Sequence, residues 1–83
     1  MLNKATMKIQ VLFFGSLTDA TLVADITMDM VADTHALIEQ LKQQFPALTT
    51  AKYFVAVNRQ MITNNTLLKT GDVVALMPPF SGG

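Results

Sequence analysis

Apolar and polar residues alternate with a period of two from position 8. In KIQVLFF (8–14), Ile9, Val11 and Phe13 fall on one face, and Lys8, Gln10 and Leu12 on the other. That is the pattern of a strand with one well-buried face. GSLTDA (15–20) reads as a turn. Alternation resumes in TLVADITM (21–28), with Leu22, Ala24, Ile26 and Met28 set against Thr21, Val23, Asp25 and Thr27. Two adjacent alternating runs joined by a short turn predict a hairpin.

The period then changes. In DTHALIEQLKQQFP (33–46), Leu37, Ile38, Leu41 and Phe45 recur at helical spacing and form one apolar stripe. The polar face carries His35, Glu39, Lys42 and Gln43. Asp33 or Thr34 supplies the N-cap, a side-chain oxygen accepting from the first free N–H groups. Pro46 ends the helix by restricting the residue before it.

YFVAV (53–57) is a β-rich run closed by the polar turn NRQ. Short extended pieces around Met61-Ile62 and Leu67-Leu68 flank TNNT, whose asparagines favour turns. KTGD turns through Gly71 into a final strand, DVVALM (72–77). The predicted order is strand, strand, helix, strand, short strand, strand. One helix must cover one face of one sheet, because neither buries its apolar side alone. The fold class is α+β in a single domain (1–83), with no repeat or linker.

At 83 residues the core is modest, since a chain this size buries only about 60–65% of its unfolded surface. Yet 51% of residues are hydrophobic and 14% charged, where about 25% charged is usual. Apolar surface reserved for a partner accounts for the excess. The net charge is zero and the six basic residues are scattered, which argues against nucleic acid. No cysteine is present, so a disulfide scaffold, a thiolate zinc site and a thiol nucleophile are excluded. A cytoplasmic location fits this.

Lys4 and Lys8 ahead of IQVLFFGSL imitate a signal peptide. Gln10, Gly15 and Ser16 interrupt that run, however, and cleavage would delete the first strand. VVALMPPF is the longest apolar run, well short of the ~20 residues a membrane helix needs.

Catalytic groups are scarce. His35 is the only histidine, and the first turn of a helix disfavours an imidazolium, so a solvent-facing role is expected. Asp19, Asp25, Asp29, Asp33, Glu39 and Asp72 are spread along the chain without acid–base or metal-ligand spacing. Ser16 and Ser81 have no evident base. Phe13, Phe14, Phe45, Tyr53 and Phe54 occupy strand or stripe positions, where core packing is expected.

The C-terminus, LMPPFSGG, departs from this blandness. Pro78 and Pro79 fix φ near −65°, so the chain leaves its last strand stiffly. Residues 78–83 can project by up to roughly 20 Å. Phe80 is an apolar anchor for a partner pocket. Gly82 and Gly83, lacking Cβ atoms, form the thinnest possible tip for a narrow channel. A disordered tail with idle glycines is the bland alternative, and the preceding Pro-Pro weighs against it.

KIQVLFFG, AVNRQMI and TGDVVALMPPFSGG together resemble the small-subunit family of molybdopterin synthase, ubiquitin-like sulfur carriers with a β-grasp fold. The resemblance spans Met7 to Gly83. It implies a mixed sheet of about five strands under one main helix, with the 72–77 strand beside the first. It further implies that an ATP-dependent, ubiquitin-activating-like adenylyltransferase adenylates Gly83, and that sulfur then replaces AMP to give a thiocarboxylate. The tail (Gly82, Ser81, Phe80, Pro79 and Pro78) would enter the large catalytic subunit, with Leu76 and Met77 on the docking surface. Sulfur would pass to cyclic pyranopterin monophosphate in molybdenum cofactor biosynthesis.

On this reading the chain is a non-catalytic, sulfur-donating subunit. It binds no cofactor, no metal, no nucleic acid and no membrane, and it assembles as a heterotetramer of two small and two large chains. GSLTDAT is shorter than the family's loop and lacks its Arg-Glu pair, and residues 1–6 extend beyond its usual start, leaving Met7 as a candidate initiator. Carriers for thiamine, cysteine or tRNA thiolation share the Gly-Gly ending, and so do protein modifiers that form isopeptide bonds.

Overall fold

The computed structural model describes residues 8–79; the extension 1–6, Met7 and the tail residues Phe80, Ser81, Gly82 and Gly83 lie outside the described residues. Five strands form one sheet: β1 (Lys8–Phe13), β2 (Asp25–Asp29), β3 (Phe54–Val57), β4 (Gln60–Ile62) and β5 (Val73–Met77). Their order is β2-β1-β5-β3-β4. β1 and β5 run parallel at the centre, while the β1–β2, β3–β5 and β3–β4 pairs are antiparallel. The sheet is therefore mixed, as expected.

Helix α2 (Thr34–Gln44) covers one face, burying Leu37 and Leu41 completely. Opposite them lie Ile9, Val11 and Phe13 of β1 and Val74 and Leu76 of β5, all at most 3% exposed. Phe45 meets Phe13 edge to face, with ring centroids 5.8 Å apart. Such pairs contribute about 0.5–1.5 kcal/mol beyond their buried area. Asp33 caps α2: its Oδ1 accepts from the Ala36 N–H at 2.8 Å. Pro46 ends the helix and also opens a 3₁₀ turn (Pro46–Thr49) that delivers Leu48 to the core.

The segment expected to be a hairpin turn is different. Leu17–Thr21 form a short helix, α1, whose i, i+4 pair Leu17 and Thr21 is buried. A single helical turn is too short to display a periodicity. The strand expected from residue 21 starts at Asp25, because Leu22 takes a left-handed conformation (φ 65°) that caps α1 through its N–H to Thr18 O. Leu22 is consequently 84% exposed and lies outside the predicted stripe. Two aromatics expected in the core are also displaced: Phe14 and Phe54 are nearly half exposed.

Among the described residues no helix is long and apolar enough to cross a membrane.

Candidate functional site: the open sheet face and the exit of β5

Alternation in the central strands produces two faces of different fate. Where Val74 and Leu76 point towards α2, Val73, Ala75 and Met77 point away from it and remain half-buried. The register continues this outer row across the sheet: Leu12 pairs with Ala75, Ala75 with Ala56, and Ala56 with Met61. Met77 pairs with Phe54 in the adjacent row. Leu12, Phe14, Met61 and Met77 line one shallow apolar hollow, bordered by Asn58 and Arg59 of the β3–β4 turn.

This geometry corrects one expected docking residue. Leu76 has no exposed surface and packs in the core, so it cannot meet a partner. With a period of two, neighbouring strand residues cannot share a face. Met77 lies on the open face, together with Leu12, Phe14, Ala75 and Met61, which the sequence pattern did not single out. Their signal was the off-face half of each alternating strand.

β5 is secured at both ends. At its start, Asp72 Oδ1 accepts from Asn58 Nδ2 at 2.9 Å, and Oδ2 accepts from the Lys69 N–H at 2.8 Å. Asn58 Oδ1 in turn accepts from the Val73 N–H at 2.9 Å. These bonds, Asn58 first, hold the Asp72 carboxyl below its ordinary value. At the far end, the Phe14 N–H donates to Leu76 O at 3.1 Å. Pro78 is half-buried there and Pro79 is exposed. Gly83, expected as the reactive terminus, lies with Phe80, Ser81 and Gly82 outside the described residues.

The remaining polar groups are dispersed. His35 and Glu39 approach to 4.0 Å on the solvent side of α2, both well exposed. Lys8 and Asp29 make an exposed ion pair at 3.1 Å, a contact worth at most about 1 kcal/mol. Asn65 Oδ1 accepts from the His35 N–H (2.8 Å) and Thr34 Oγ1 (3.2 Å), a second cap on α2 supplied from a distant loop.

A helix laid across a mixed five-stranded sheet with parallel central strands defines a ubiquitin-like β-grasp protein. The chain belongs to the ThiS family, whose model matches residues 11–83. Two molybdopterin synthase sulfur carrier subunits are similar to it. That of Arabidopsis thaliana is 30% identical, covering 98% of this chain and 88% of the relative. That of Mycobacterium tuberculosis is 32% identical, covering 93% and 99%.

Among solved structures, a putative molybdopterin converting factor subunit 1 from Pyrococcus furiosus superposes with a TM-score of 0.83 at 23% identity, covering 89% of this chain and 99% of that one. The complex of subunits 1 and 2 of molybdopterin-converting factor from Helicobacter pylori contains a chain with a TM-score of 0.69 at 32% identity, covering 93% and 100%. The small archaeal modifier protein 1 from Methanosarcina acetivorans shares the fold, with a TM-score of 0.79 at 20% identity and coverage of 96% and 100%.

Proposed function

We propose that this chain is the sulfur carrier subunit of a molybdopterin synthase. The observation that carries the reading is the near full-length identity of 30–32% to two proteins so named. The geometry supports it: β5 lies beside β1 at the centre of the sheet, pinned at both ends, and reaches Pro78 next to an apolar face that no described element covers. That arrangement suits a rigid handle that presents a C-terminus to a partner.

In this function the Gly83 carboxylate, a poor electrophile, attacks the α-phosphorus of ATP on an activating enzyme and releases pyrophosphate. A sulfur nucleophile displaces AMP from the acyl-adenylate, leaving a thiocarboxylate. The loaded tail then enters a large catalytic subunit and gives its sulfur to cyclic pyranopterin monophosphate. The Helicobacter pylori complex of two subunits supports a large-subunit partner, and the open sheet face supplies the docking surface.

Reconstitution tests this. Thiocarboxylated protein, the large subunit and the cyclic precursor should together yield the dithiolene product. Intact-mass analysis should show one oxygen exchanged for one sulfur on the carrier. Absence of product, with isopeptide conjugates found in cells instead, would overturn the proposal in favour of a protein modifier.

A further inference from the structure

The parallel register of β1 and β5 pairs Phe13 with Leu76. Continued two residues beyond, it sets Gly15 opposite Pro78. The two chains come unusually close there. A Cβ built on Gly15 would lie 2.9 Å from Pro78 Cγ and 3.4 Å from Cδ, the first inside any normal carbon–carbon contact. The obstructing atoms belong to a proline ring, which cannot swing aside as a flexible side chain would.

Gly15 itself is held firmly. Before it, the Phe14 N–H is bonded to Leu76 O. After it, the Gly15 carbonyl accepts from both the Thr18 N–H (3.1 Å) and Thr18 Oγ1 (2.9 Å). Its φ of +56° lies in the left-handed region, where side chains are disfavoured. The backbone at Gly15 is thus a fixed wall built by the end of β1 and the start of α1, and the Pro78 ring rests on it.

We infer that Gly15 is a positioning residue for the C-terminal tail, its missing side chain setting where Pro78 leaves the sheet. This deepens the carrier reading and rests on it. Restoring an ordinary contact of about 3.5 Å requires a shift of about 0.6 Å between Gly15 and Pro78. With φ fixed at Pro78 and Pro79, the base of the tail has little freedom to absorb that displacement. Misplacement by about 1 Å at a reacting group can slow a reaction about 100-fold.

The test uses full-length thiocarboxylated carrier, with the large subunit and cyclic precursor, in single turnover. Gly15→Ala should transfer sulfur about 10- to 100-fold more slowly, a larger loss than its loss of affinity for the large subunit, because Leu12, Met61 and the rest of the open sheet face keep their places. Gly15→Asn tolerates the left-handed φ better but carries the same Cβ, so it should show the same defect with less loss of stability.

Adding Pro78→Ala to Gly15→Ala removes the obstructing ring. The double variant should return to the rate of Pro78→Ala alone, whereas an undiminished loss, or a wild-type rate for Gly15→Ala, overturns the inference. If the wild-type thiocarboxylate itself donates no sulfur, the carrier reading fails and the Gly15 assignment is decided by NMR. Amide shifts of residues 80–82 should then move in Gly15→Ala and revert in the double variant; shifts that stay put overturn it.

Discussion

Asn58 Nδ2 donates to Asp72 Oδ1 at 2.9 Å, tying the β3–β4 turn to the residue that opens β5. The bond spans 14 positions and is closed into a ring by the Val73 N–H on Asn58 Oδ1. Asn58 reaches this position because it takes a left-handed φ of 50°, which asparagine tolerates better than most residues. Asp72 is only 6% exposed, so its partners lose a buried acceptor when it is truncated. Asp72→Ala should therefore destabilise the protein by about 1–3 kcal/mol. Urea denaturation measures this, and Asp72→Asn should cost less because an amide oxygen still accepts one bond.

The same network sets an acid limit. Asp72, through Asn58 and the Lys69 N–H, and Asp33, through the Ala36 N–H and Asn65, are both held below the ordinary carboxylate value of 3.8. Their depressed folded pKa values add stability that is fully present above pH 3.8. It is lost as pH falls from there through the lower folded values. Thermal melts from pH 6 downward should be flat until about pH 4 and then drop. Asp72→Asn should lessen the drop.

On the proposed function, docking should separate from folding on the two faces of β5 and its neighbours. Met61, 55% exposed, and Phe14, 46% exposed, lie on the open face. Met61→Asp and Phe14→Asp should leave the circular dichroism spectrum unchanged and weaken binding to the large subunit by about 10- to 100-fold, as loss of an apolar anchor does. Leu76→Ala should do the reverse. It should cost about 2–5 kcal/mol of stability, with binding lost only as far as the fold is lost. Calorimetric titration beside denaturation distinguishes the two.

Asn65 predicts a local effect. Its Oδ1 serves the His35 N–H and the Thr34 hydroxyl at the start of α2. Asn65→Ala should cost about 0.5–2 kcal/mol, the range for losing a helix cap. Hydrogen exchange should rise first at the His35 amide, while Asp33 continues to protect Ala36 and Leu37.

Local patterns were legible wherever several residues repeat one rule. Ile9, Val11 and Phe13 declared the buried side of β1, and Leu37 with Leu41 declared the stripe of α2. Asp33 was readable as a cap because capping acts over three residues, Asp33 to Ala36. α1 was not legible: five residues make barely one turn, and its buried pair of Leu17 and Thr21 shows no repeat. Asn65 looked like a turn residue because its partners, Thr34 and His35, lie some thirty positions away.

By itself the sequence determined the class of fold, the buried face of β1, the stripe of α2 and the unusual ending LMPPFSGG, since these depend on periodicity and on backbone limits carried by single residues. Tertiary structure alone decided which apolar residues stay uncovered. Leu76 and Met77 are both large and apolar, yet the pleat turns Leu76 under α2 and leaves Met77 on the opposite face. It also decided the meeting of Gly15 with Pro78, sixty-three positions apart, because only the parallel pairing of β1 and β5 carries both chains to the same end of the sheet.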